Sequence, residues 1–132
     1  MSTRLAPYAY ALLRIVSGAM FAFHGVQKLF GVLSDQPQPA VGSQMWIGGV
    51  LELVCGLAIA IGLFTWLAAF LASGEMAVAY FQFHFEVEPA TAWIPHVNKG
   101  ELAVLYCFVF FYMAFRGNGP WSVGANRKKP QT

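Results

Sequence analysis

The chain has 132 residues, of which 58% are hydrophobic and only 11% are charged. Soluble domains carry about 25% charged residues, so this chain has too little polar surface to cover a water-soluble globule. Its formal net charge of +2 gives no indication of nucleic-acid binding. The composition therefore predicts a membrane protein whose first partner is the lipid bilayer.

Four apolar segments in chain order qualify as transmembrane helices, which need about 20 mostly apolar residues. They cover roughly residues 7–30, 45–64, 67–85 and 100–115. Proline-containing segments separate the first from the second and the third from the fourth, and the two-residue link Thr65-Trp66 predicts an antiparallel hairpin. We therefore expect residues 1–132 to form a single all-α domain, a four-helix transmembrane bundle.

The distribution of basic residues predicts the orientation of this bundle. Four spans place both termini on the same side of the membrane, and lysine and arginine favour the cytoplasmic side. The side of the termini carries Arg4, Arg116 and the three basic residues 127–129, whereas the opposite side carries Lys28 and Lys99. Both termini are therefore predicted to be cytoplasmic.

Ionisable side chains inside the spans need partners, because each costs about 2.5–3.5 kcal/mol near the bilayer centre. Arg14 lies in the first span and Glu75 in the third. At a rise of about 1.5 Å per residue, both lie at nearly the same depth above the cytoplasmic ends of their helices. We expect Arg14 and Glu75 to form a buried ion pair that sets the helix arrangement.

A second polar group is predicted in the half of the membrane away from the termini. A histidine and a carboxylate near such an opening can accept protons or bind a polar head group. An ideal α-helix places His84 roughly opposite Glu75, so His84 is expected to serve a loop or a partner. The cluster comprises six residues: His24, Lys28, Glu52, His84, Asn98 and Glu101.

Metal and thiol chemistry are disfavoured by the spacing of the candidate ligands. His24, Glu52 and His84 occur without HxxxH or HxxE spacing, and Cys55 and Cys107 form no CxxC motif. The sequence also has no haem-type axial pair, no cluster-binding cysteines and no dinucleotide glycine motif. We therefore predict no metal site and no intrinsic cofactor, so any electrons would need a bound quinone or a partner redox protein.

Five stretches of the chain are similar to motifs of the DoxX family of small bacterial membrane proteins. In family order they are FHGVQKLFG (23–31), ELVCGLAIAIGLFTWLAA (52–69), GEMAVAYFQFH (74–84), NKGELAVLY (98–106) and GNGPWS (117–122). The resemblance implies a multi-pass protein of the bacterial inner membrane. It also implies a link to membrane oxidoreductases, because relatives include a subunit of a thiosulfate:quinone oxidoreductase, while more distant relatives resemble assembly factors and cargo receptors.

Two functions from different classes follow from these observations. The first is a redox-associated membrane subunit that binds a quinone or similar lipophilic molecule, because His24, Lys28 and Glu52 offer polar groups beside phenylalanine side chains. The second is a non-catalytic interaction or assembly protein that stabilises or recruits partners, including further copies of itself. A proton-coupled carrier ranks last, since four short helices leave little room for alternating access.

Overall fold

A computed structural model describes residues 3–86 and 89–126, and of residues 125 and 126 it describes only the backbone. These residues form four α-helices and no strand. The helices are α1 (Ala6–Phe30), α2 (Gln44–Ile61), α3 (Thr65–Ala79) and α4 (Glu101–Arg116). A π-helical turn (Tyr80–His84) continues α3, and a short 3-10 helix covers Val123–Asn126. The basic residues 127–129, on which the predicted orientation of the termini partly depends, lie outside the described residues.

The ends of the first two helices follow from local sequence. Proline in the first turn of α1 has a fixed φ that suits a helix start, and Gly31 ends α1 in the left-handed conformation. Ser43 begins α2 by accepting a hydrogen bond from the backbone N–H of Trp46, and Gly62 ends it, again left-handed. The turn at residues 62–64 leads directly into α3 and produces the predicted hairpin, but the predicted link Thr65-Trp66 is wrong, since both residues belong to the first turn of α3.

Glycines bring the backbones of α1 and α2 into contact. A Cβ atom added to Gly56 would lie 2.5 Å from the backbone nitrogen of Ala22, and one added to Gly25 would lie 2.5 Å from the carbonyl oxygen of Gly49. Such distances leave no room for any side chain. The two helices therefore pack antiparallel through small residues, as membrane helices commonly do.

Aromatic residues fill the space between α1 and α4. The ring centroid of Phe21 lies 4.8 Å from that of Phe110 and 5.5 Å from that of Tyr106. The Ser73 hydroxyl donates to the carbonyl oxygen of Cys107 at 2.8 Å, which joins α3 to α4. The four helices thus alternate in direction and close on themselves around one apolar core.

Arg14 is fully buried at the end of the bundle where the termini lie. Its guanidinium donates to the carbonyl oxygens of Ile59 and Ala60, each at 2.7 Å, and to those of Pro120 and Trp121 at 3.2 and 2.9 Å. The last carbonyls of a helix lack intrahelical partners and carry its negative dipole end, so a cation satisfies them well. The predicted ion pair between Arg14 and Glu75 is therefore wrong.

The side chain of Asn118, which is distant in sequence, caps the N-terminus of α3. Its side-chain oxygen accepts a hydrogen bond from the backbone N–H of Thr65 at 3.1 Å. Phe64, the residue that precedes α3, offers no side-chain cap. The GNGPWS segment thus holds the ends of two helices at once, α2 through Arg14 and α3 through Asn118.

We expect Asn118→Ala to lower the free energy of unfolding by about 0.5–2 kcal/mol, as for the loss of a helix N-cap. Asn118→Asp should retain most of the stability, because a carboxylate still accepts from Thr65 and suits a helix N-terminus. Thermal unfolding in detergent measures both. Equal melting temperatures for the two variants would show that the cap contributes nothing.

The outer surface of the described helices is apolar. Large exposed side chains occur on every helix, for example Val16, Val54, Phe70 and Phe108. By length and composition, α1 and α2 are able to cross a membrane. α3 has 15 residues and reaches 20 with the five of the π turn, and α4 has 16.

Candidate functional site

A cavity of about 530 Å³ lies between the helices, at the end of the bundle away from the termini. Its volume falls within the range of about 300–1,000 Å³ that is typical of ligand pockets. Much of the wall is apolar, with Phe21, Leu51 and Met76 among the lining residues. The ionisable lining residues are His24, Lys28, Glu52, Glu75, His84, Lys99 and Tyr106.

Lys28 and Glu52 form an ion pair in the wall of this cavity. The Nζ of Lys28 lies 2.7 Å from the Oε1 of Glu52, and the Glu52 side chain is only 4% exposed. A Cβ added to Gly49 would lie 3.0 Å from the Cβ of Lys28. The missing side chain of Gly49 therefore lets Lys28 lie against α2 and reach Glu52.

Glu75 belongs to this cavity and lies beside Gly48 of α2. A Cβ added to Gly48 would lie 3.1 Å from the Oε1 of Glu75, so this glycine leaves space for the carboxyl group. Similar depth along the helices predicts Arg14 as the partner of Glu75, but depth does not show which neighbouring helix a side chain contacts. Glu75 shares its helix face with Gln82, which also lines the cavity.

Three buried polar atoms in this cavity have no hydrogen-bond partner among the described residues. They are the Oε2 atoms of Glu52 and Glu75 and the hydroxyl of Tyr106. Glu52 is 3% exposed and Tyr106 is 6% exposed. Because buried polar atoms in proteins are almost always hydrogen-bonded, these three are groups whose hydrogen bonds the described residues do not supply. Tyr106 gave no sequence signal, since it is one aromatic residue in an apolar helix.

The π turn brings His84 to the cavity. A wider turn changes the direction of the side chains that follow it, and such turns are frequent at functional sites. The His84 ring stacks on Tyr80 with centroids 6.5 Å apart, and its Nδ1 lies 3.2 Å from the carbonyl oxygen of Asn98. An α-helix continued to residue 84 would place His84 roughly opposite Glu75, but the π turn changes the direction of this side chain.

Asn98 and Glu101 lie outside the cavity, in contrast to their predicted place in the cluster. The Asn98 side chain donates to the Ala92 carbonyl at 2.9 Å and accepts from the Gly100 N–H at 2.8 Å. It also donates to the Tyr80 hydroxyl at 3.2 Å, so it anchors the loop to the π turn. Glu101 begins α4 and pairs with His96 at 3.2 Å, with both side chains exposed.

Metal binding finds no support in the arrangement of side chains. Across residues 3–86 and 89–126, no group of three or more His, Cys, Asp or Glu side chains is placed to hold a metal ion. The carboxyl groups of the cavity lie beside a lysine and apolar side chains. This setting suits hydrogen bonding and proton acceptance.

The apolar exterior and the two helices able to cross a membrane are features of a helical membrane protein, and a largely apolar cavity with a few polar groups lies between its helices. The model of the DoxX family matches residues 9–85, and the chain belongs to this family, as the sequence motifs indicated. An uncharacterized protein of Haemophilus influenzae is 42% identical over 116 residues, which are 86% of each chain. No solved structure matches this chain.

Proposed function

We propose that this DoxX protein is a four-span protein of the bacterial inner membrane that binds a quinone or similar lipophilic molecule in the cavity. It would act as a subunit of a membrane oxidoreductase and exchange electrons with a partner redox protein. The observation that carries this proposal is the set of three unpartnered buried polar atoms in a largely apolar cavity. Such a site matches a molecule with a polar head and an apolar body.

The cavity has an apolar mouth on the outside of the bundle. Ile47 on α2 and Leu71 and Val78 on α3 line the cavity and are also at least 45% exposed. In a bilayer these side chains would contact lipid. A lipophilic molecule can therefore enter sideways between α2 and α3 without crossing water.

The polar groups of the site suit both redox forms of a quinone. The hydroxyl of Tyr106 can donate to a quinone carbonyl, whereas the free oxygens of Glu52 and Glu75 can accept from the hydroxyls of a quinol. A carboxylate that accepts from a quinol hydroxyl is also placed to receive its proton on oxidation. These residues would therefore bind the head group and manage its protons.

The proposed topology places both termini in the cytoplasm. α3 with its π turn has the length of a span, and α4, at 16 residues, is shorter than the usual 20. A short span is accommodated by local thinning of the bilayer or by long flanking side chains such as Arg116. The even number of alternating helices then leaves the cavity in the half of the membrane away from the cytoplasm.

We expect protein purified in mild detergent to retain quinone, and Glu75→Leu to lower the retained amount about tenfold, the factor for about 1.4 kcal/mol of binding free energy. Glu101→Leu is the matched control, because Glu101 is exposed and outside the cavity. Solvent extraction followed by liquid chromatography and mass spectrometry gives the quinone content per protein. Titration with a short-chain quinone and its quinol gives the affinity.

Two results would contradict this proposal. The first is a wild-type protein that neither retains nor binds quinone or quinol. The second is an equal loss in the Glu75 and Glu101 variants. Reproducible recovery of a partner protein without quinone would instead support the alternative, a non-catalytic interaction or assembly protein.

A further inference from the structure

A second cavity of about 330 Å³ lies under the loop that joins α1 to α2, which consists of residues 31–43. Its lining includes polar side chains from the loop and the end of α1, among them Gln27, Ser34 and Gln36. Apolar surface predominates in the walls of both cavities, but the polar share is larger here than in the larger cavity. We call the two the loop cavity and the inner cavity.

Hydrogen bonds hold the loop over its cavity. The Gln38 side chain donates to the Leu29 carbonyl at 3.1 Å, and the Gln27 side chain donates to the Leu33 carbonyl at 3.1 Å. Both bonds tie the loop back to the last turns of α1. The loop that covers the loop cavity is therefore hydrogen-bonded to α1 at two positions.

The two cavities share a wall. His24, Lys28 and Met45 line both of them. Lys28 is held in this wall by its ion pair with Glu52, which lines the inner cavity. The His24 ring lies 6.3 Å from the Tyr106 ring on the inner side. The groups that face His24 and Lys28 across the inner cavity thus include the unpartnered carboxyl and hydroxyl groups.

We propose that the loop cavity is an aqueous antechamber through which water and protons from the non-cytoplasmic side reach Glu52 and Glu75. The ion pair between Lys28 and Glu52 forms the partition. A lipophilic molecule would use the apolar mouth between α2 and α3, so the site has separate routes for its ligand and for protons. The inference rests on the proposed membrane topology and holds for any ligand of the inner cavity.

Cysteine labelling in sealed membrane vesicles tests this route. In a background with Cys55→Ala and Cys107→Ala, single cysteines replace Ser34 in the loop cavity, Leu51 in the inner cavity or the lipid-facing Val54. The probe is a small, membrane-impermeant cationic methanethiosulfonate, added to intact and to opened vesicles. We expect Ser34→Cys and Leu51→Cys to react from the same side and Val54→Cys to stay unreacted.

Removal of the partition should speed the reaction inside. Lys28→Ala should raise the labelling rate of Leu51→Cys about tenfold, which corresponds to about 1.4 kcal/mol in a rate constant. Arg116→Ala should leave the rate unchanged, since Arg116 is exposed and lies at the opposite end of the bundle, outside both cavities. The labelling of Leu51→Cys without a second substitution still tests the route if the Lys28 variant fails to fold.

The route is refuted if Leu51→Cys stays unreacted while Ser34→Cys reacts, or if the two react from opposite sides. It is also refuted if Val54→Cys reacts as fast as Leu51→Cys, because the label would then enter without using the antechamber. Reaction of both Ser34→Cys and Leu51→Cys only in opened vesicles would overturn the proposed orientation and still support the antechamber. Quinone binding is measured in a separate experiment, so a protein that binds no quinone can still show the labelling pattern expected for the antechamber.

Discussion

Gly56→Ala is expected to lower the free energy of unfolding by about 3 kcal/mol or more, the upper range for overpacking a close-packed interior. The added methyl group would lie 2.5 Å from the Ala22 backbone nitrogen and 2.7 Å from the Gly18 carbonyl oxygen. Backbone atoms in two helices cannot move aside as a flexible side chain can. The methyl group therefore has to separate α1 from α2, which carry two walls of the inner cavity.

Gly74→Ala provides the matched control, because it is the same substitution inside a helix. No atom outside its own helix lies within 4 Å of a Cβ built on Gly74. This variant should be stabilised by about 0.5–1 kcal/mol, since alanine loses less conformational freedom in a helix than glycine. Thermal unfolding in detergent compares the pair. Similar melting temperatures for both variants would contradict direct backbone contact between α1 and α2.

Arg14→Lys is expected to cost about 2–4 kcal/mol, although it preserves the charge. The planar guanidinium reaches two carbonyls of α2 and two of the segment after α4 at once. A lysine ammonium is a compact donor group and cannot span both pairs of carbonyls. The variant would leave buried carbonyl groups without donors and release residues 117–122 from the end of the bundle.

Arg116→Lys is the matched control, because it tests whether the same substitution at another arginine at this end of the bundle also lowers the stability. Arg116 is exposed, and its guanidinium lies 5.2 Å from the centre of the Tyr10 ring, where lysine can also make a cation–π contact. We expect a change within about 0.5 kcal/mol, as for most surface substitutions. Limited proteolysis of the C-terminal segment adds a second readout. Equal behaviour of the two lysine variants would disprove the role of Arg14 as the joint between α2 and the C-terminal segment.

The helices could be predicted because the sequence alone contains their signals. Apolar runs of adequate length, glycines after α1 and α2 and prolines in the loops define the four segments closely. The family resemblance was visible for the same reason, as its motifs are contiguous stretches. Lys28 and Glu52 could be placed together because His24 and Glu52 lie six and eight residues from helix ends on the same side of the bundle, and Lys28 follows His24 by one turn with a long side chain.

The partners of buried charges were less predictable. Arg14 and Glu75 lie at similar depth on their helices, yet depth says nothing about which neighbour a side chain meets. The carbonyls that bind Arg14 belong to a helix end and to a segment more than 100 residues away in the chain. A carbonyl carries no side-chain signature, so the sequence contained no sign of this partner.

The sequence by itself determined the membrane class, the four helical segments and the family, because these depend on composition and short-range pattern. Only the tertiary structure decided the surroundings of Arg14, Glu75, His84 and Glu101. Glu75 lines the cavity, and Arg14 binds the carbonyl oxygens at the end of a helix. His84 lines the cavity at the end of the π turn, whereas Glu101 lies outside it. The physical reason is that a buried polar group is satisfied by whichever donor or acceptor lies within about 3 Å, and that depends on packing between distant segments.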